Sequence, residues 1–139
     1  MNKRLWMGFV AAFVTLEILS FVVNYLILGP TYESLKSLWR EDMMSKMWIY
    51  HVITLVGSFF FTLVFSKGYE GKGIMEGVRY GAYIGIWLSI GMAYGTYASI
   101  AIPYSLALQW FLYGIVEYII AGVVVAMVFS KVAKEPAAA

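Results

Sequence analysis

Two carboxylates are the residues of this sequence best placed to do chemistry. Glu17 stands in the middle of the apolar run Leu5 to Leu28, and Glu117 in the middle of the run Ser105 to Phe129. No Lys or Arg lies inside these runs or inside the two apolar runs between them. A charge at the centre of a hydrocarbon layer costs about 2.5–3.5 kcal/mol on insertion scales, so such an acid faces a protein interior or a wet cavity. If the two acids approach one another, repulsion and desolvation both favour protonation, with one proton shared. The chemistry on offer is a proton or cation site, or an anchor for a polar ligand. The structural alternative is a pair of neutral acids that hydrogen-bond neighbouring helices.

Other polar residues fall in register with them. Glu17, Ser20 and Asn24 share one helical face, and His51, Thr54, Ser58 and Thr62 form a stripe. Gln109, Tyr113 and Glu117 recur every four residues, and Tyr83, Trp87 and Tyr94 share a face. The expected polar interior site is therefore Glu17, Asn24, His51, Ser58, Tyr94, Gln109, Tyr113 and Glu117, reached by a crevice from the outer surface. Met43, Met47 and His51 lie four apart. Thioethers with an imidazole suit Cu(I), which makes them weak metal candidates; methionines at such positions more often fill gaps or face lipid. His51 is the single histidine and cysteine is absent. This rules out bis-histidine haem within one chain, cysteine-held metal and thiol redox chemistry. No cofactor is expected, and no catalytic residue is identified. An enzyme acting on lipid or quinone would have only Tyr113, His51 and the two acids to work with.

The elements that must position these residues follow from composition. Of 139 residues, 62% are apolar and 13% charged, against about 45–50% and about 25% in soluble domains. A net charge of +2 is too weak and scattered for a nucleic-acid surface. A transmembrane helix needs about 20 mostly apolar residues. Four runs qualify: Leu5 to Leu28, Met47 to Phe65, Tyr80 to Ile102 and Ser105 to Phe129. Strands are excluded by the length of the runs and their lack of alternation. The first run is too long for a signal-peptide core. We expect an all-α integral membrane domain over 1–139, with four transmembrane helices in an antiparallel bundle.

Loops refine the picture. With an even number of spans, both termini share a side with the second loop. Lys3, Arg4, Lys67, Lys72, Arg79, Lys131 and Lys134 lie there, against Lys36, Arg40 and Lys46 opposite, which predicts cytoplasmic termini. Tyr32, Leu35, Trp39 and Met43 recur at helical spacing between charged residues. This predicts an amphipathic interfacial helix over Thr31 to Lys46, bending into the second span. Tyr and Trp gather toward the span ends, as membrane interfaces favour. Gly77, Gly81, Gly85, Gly91 and Gly95 form rows that permit close helix packing. The loop from Lys67 to Gly77 resembles a phosphate loop only superficially: Ser66 and Glu76 stand where the patterns need glycine.

A resemblance adds to this reading. Leu38-Trp39-Arg40, Asp42 to Trp48, Lys67 to Ile74, Arg79-Tyr80-Gly81, Pro103 with Ser105 to Leu108, and Glu117-Tyr118 with Ile120-Ala121-Gly122 resemble a family of small bacterial four-helix membrane proteins. It covers nearly all the chain after the first helix. It implies a bacterial inner-membrane protein and points to no particular activity. The expected function is a non-enzymatic membrane protein, working in lipid as a homo-oligomer or as a small subunit of a membrane complex. The alternative is a small proton- or cation-coupled transporter or channel, with Glu17 and Glu117 as its site.

Overall fold

The computed structural model describes residues 3–132, and Lys134 lies outside them. Among the described residues the chain is all-helical, without strands. Helix α1 is Lys3–Phe21 and continues as a π turn, Val22–Ile27. Then come α2 (Gly29–Ser34), α3 (Trp48–Gly68), α4 (Ile74–Ser99) and α5 (Tyr104–Lys131). Helices α1 with its π turn, α3 with the residues just before it, and α5 are each long and apolar enough to cross a membrane. Helix α4 has the length, at 26 residues, but not the apolarity. Glycines, tyrosines, Glu76 and Arg79 dilute it.

Local sequence explains the breaks. The amide of Leu28 bonds the carbonyl of Val23 at 2.9 Å, five residues back, which closes the π turn. Pro30 sits in the first turn of α2, where a missing N–H costs nothing. Gly71 and Gly73, at φ 74° and 82°, supply the left-handed backbone that turns the chain from α3 into α4. Pro103 is extended and begins α5.

The expected interfacial helix over Thr31 to Lys46 is not continuous. The segment forms α2 and two short 3-10 turns, Lys36–Leu38 and Met43–Lys46, separated by extended backbone at Trp39. Side chains compete with the helix there. Ser34 and Ser45 hydroxyls bond the carbonyls of Thr31 and Asp42, at 2.7 Å each. Trp39 Nε1 reaches back to the carbonyl of Tyr32 at 3.1 Å. The second turn does run directly into α3, at Trp48.

Helices α4 and α5 make the most extensive contact, and α1 packs against both α5 and α3. Glycine sets the α4–α5 distance. A Cβ on Gly77 would strike the carbonyl of Gly122, and one on Gly81 the carbonyl of Tyr118. A Cβ on Gly85 would lie 3.0 Å from the Cα of Ile115. Gly91 and Gly95, expected to extend this row, do not: nothing lies within 4 Å of a Cβ at either. The buried face continues through Ser89 and Ala93, whereas Gly91 and Gly95, six and ten residues past Gly85, point to another side of the helix. Gly8, in α1, is tight as well, with Phe129 at 2.8 Å and Thr62 at 2.9 Å from a built Cβ.

Two apolar clusters hold the assembly. One gathers Ala12, Leu16, Phe61, Phe65, Ala121, Val125, Ala126 and Phe129 toward the basal end, where Lys3, Gly68, Ile74 and Lys131 meet. There Tyr80 donates to the carbonyl of Phe61 at 2.5 Å, tying α4 to α3. The other gathers Leu28, Ile102, Leu106 and Ala107 at the opposite, cap end. Helix α3 joins only the first. None of its residues from Trp48 to Gly57 is buried, and burial begins at Ser58.

Candidate polar site

The α1–α3 seam carries a polar contact between Glu17 and His51. His51, one turn into α3, places Nδ1 2.8 Å from Glu17 Oε2. The Glu17 side chain is 26% exposed and His51 66%. A single proton suffices for this bond: it rests on the imidazole facing a carboxylate, or on the carboxyl facing a neutral imidazole. The sequence expectation left Glu17 without a basic partner, and His51 is that partner.

A second group lies on the α1–α5 seam. Trp110 Nε1 donates to the Tyr32 hydroxyl at 2.7 Å, and that hydroxyl donates to Asn24 Oδ1 at 2.7 Å. Asn24 Nδ2 in turn donates to the Ser20 carbonyl at 3.0 Å and to Ser20 Oγ at 3.2 Å. The chain of donors thus runs from α5 through α2 into the π turn of α1. Burial, chiefly, pushes the Tyr32 phenol up to about 12; the hydrogen bond from Trp110 pulls the other way. Among the described residues no hydrogen bond joins this group to Glu17 or His51.

Glu117 belongs to neither group. Its Oε1 is closed to solvent and has no hydrogen-bond partner among the described residues. The buried Ser58 Oγ shares that condition. Among the described residues no hydrogen bond joins Glu17 to Glu117, and the one that Glu17 makes is to His51.

The other expected residues are more ordinary. Tyr94 meets Tyr104 hydroxyl to hydroxyl at 3.2 Å and stacks edge-on to Phe111, within an aromatic group at the cap end. Tyr113 packs against the cap-end cluster. Gln109 is half-buried and forms no hydrogen bond among the described residues. Thr54 and Thr62 bond their own helix, at the carbonyls of Tyr50 and Ser58. Met43 and Met47 are half-buried, and among the described residues no three acidic or histidine side chains gather as a metal would need.

Sequence reasoning missed Tyr32 and Trp110 as hydrogen-bonding residues and treated them as interface aromatics. The signal was present, because a partly buried indole or phenol seeks a partner. It missed Arg4 too. That guanidinium donates twice to the carbonyl of Phe129, at 3.0 and 2.6 Å, and lies 4.9 Å from the Tyr69 ring centre. The chain matches no known family model, no curated protein and no solved structure.

Proposed function

We propose that this chain is a four-span protein of the bacterial inner membrane, with both termini cytoplasmic, that works as a homo-oligomer or as a small subunit of a larger membrane complex. It is not an enzyme on this reading. The observation that carries it is the position of the Glu17–His51 pair. Glu17 is the fifteenth residue of a 25-residue apolar span, so it lies deep in the hydrocarbon, and His51 at 2.8 Å lies at the same depth. Yet the imidazole is on the outside of this bundle, 66% exposed. Ionisable groups at that depth face protein or water rather than acyl chains. A second polypeptide against α3 would cover the pair. The bare stretch from Trp48 to Gly57 is the surface on which it would lie.

The test is the assembly state of the intact protein in mild detergent and in lipid nanodiscs, read by native mass spectrometry. A complex that dissociates in Glu17→Gln and His51→Asn variants supports the reading. A stable monomer in both media overturns it.

A second reading rests on a different atom. Glu117 Oε1 is buried and unpartnered, and together with the Glu17–His51 pair it provides two stations able to hold a proton or cation. On that reading the chain is a small proton- or cation-coupled transporter or channel. Proton flux into proteoliposomes that is lost in Glu117→Gln would favour it over the first.

A further inference from the structure

At the basal end, α3 and α4 enclose a groove of about 270 Å³ that the polar site does not use. Its walls are Val64 and Phe65 from α3, with Tyr80 and Tyr83 from α4, and its rim carries Lys72 and Arg79. Glu70 and Glu76 also line it, but both are already engaged. The Glu76 carboxylate accepts the amide of Glu70 at 2.6 Å and that of Lys72 at 2.8 Å. Glu70 is paired with Lys72 Nζ at 2.7 Å.

Arg79 is the charge left over. It forms no hydrogen bond or ion pair among the described residues, although its field adds slightly to the hydrogen bond and charge of Lys72, which hold the Glu70 carboxyl below the ordinary range. Tyr83 is one turn further along the same face and is strongly exposed. A guanidinium beside a phenol, over an apolar wall, is a receptor for an anionic head on an apolar body. The groove opens at the last turn of α3, where a membrane-spanning helix meets the lipid headgroups.

We propose that this groove binds a phospholipid with a net negative headgroup, with Arg79 on the phosphate and the acyl chains running down over Val64 and Tyr83. The proposal rests on α3 crossing the membrane but not on the oligomer reading, and a monomer could bind the lipid equally well. A free phosphate offers Arg79 the same oxygens, and the two sources are separable.

The experiment is native mass spectrometry of the full-length protein, delipidated in a neutral detergent. The probes are dioleoyl phosphatidylglycerol, dioleoyl phosphatidylcholine and inorganic phosphate. Both lipids offer Arg79 a phosphate, but the choline cation of phosphatidylcholine is repelled by Lys72 and Arg79, so phosphatidylglycerol should be retained about tenfold better. Inorganic phosphate should not compete. Arg79→Gln should abolish the preference, Arg79→Lys should keep part of it, and Val64→Trp should block binding with every charge in place. Lys36→Gln, at the opposite end, should change nothing. Equal retention of the two lipids, a preference that survives Arg79→Gln, or effective competition by inorganic phosphate would each overturn the proposal.

Discussion

Glu17 Oε2 and His51 Nδ1 lie 2.8 Å apart although 34 positions separate them in sequence. This bond is the polar contact that holds the cap-side half of α3 to α1, because the apolar core engages α3 only from Ser58 onward. A double-mutant cycle with Glu17→Gln and His51→Ala should therefore give a coupling energy of about 0.6–2 kcal/mol, the range for hydrogen bonds between membrane helices. Unfolding by steric trapping in bicelles would measure it. Strict additivity of the two substitutions would show that the contact contributes nothing.

The glycine seam predicts a contrast within one helix. Gly81→Ala drives a methyl into the backbone of Tyr118 and should cost about 1–3 kcal/mol, as overpacking does. Gly91→Ala meets open space and should stay within about 0.5 kcal/mol of the parent. Thermal unfolding of the two variants side by side reads the difference.

Tyr32 predicts a pH window. Burial first, with Trp110 opposing, leaves its phenol at about 12 in the folded chain against the ordinary phenol value of 10.0. The native state thus favours the neutral form. That contribution is complete below pH 10 and is lost as pH rises from 10 to about 12. The stability difference between the parent and Tyr32→Phe should be about 1 kcal/mol near neutrality and should shrink across this window. A difference that is flat through it would remove Tyr32 as the source.

Arg4 predicts local loosening. Its fork binds the carbonyl of Phe129 in the last turn of α5, a favoured place for a cation. Arg4→Lys keeps the charge and loses the fork. Amide exchange near Ser130 to Val132 should quicken several-fold, on the order of 1 kcal/mol, while exchange in the middle of α5 is unchanged.

How legible all this was depended on the range of the interaction. Helices α1, α3 and α5 were read within a few residues, because an apolar run bounded by Gly-Pro, by Ser-Lys-Gly or by Pro is a local signal; α4 starts at Ile74, six residues before the expected Tyr80, because its first turns are polar. The interfacial segment was misread because its spacing is helical while its Ser34, Trp39 and Ser45 side chains take the carbonyls a helix would use. Gly91 and Gly95 were misassigned to the seam although their spacing from Gly85 breaks the four-residue register that Ser89 and Ala93 keep. Glu17 was flagged from its depth, but its pairing with His51 depends on the relative register of α1 and α3, which no local pattern encodes. The same holds for Tyr32, whose partners come from α1 and α5.

The backbone-to-backbone seam between α4 and α5 has a mechanical meaning. Two helices that touch through Gly77, Gly81 and Gly122 leave no side-chain layer to slide on, so they must move as one stiff plank. Helix α3 has no such seam; on the cap side of Ser58 it is a lever fixed at its basal end, and the molecule's single imidazole pins the arm to Glu17. A swing of that arm about its fulcrum has first to break the Glu17–His51 bond.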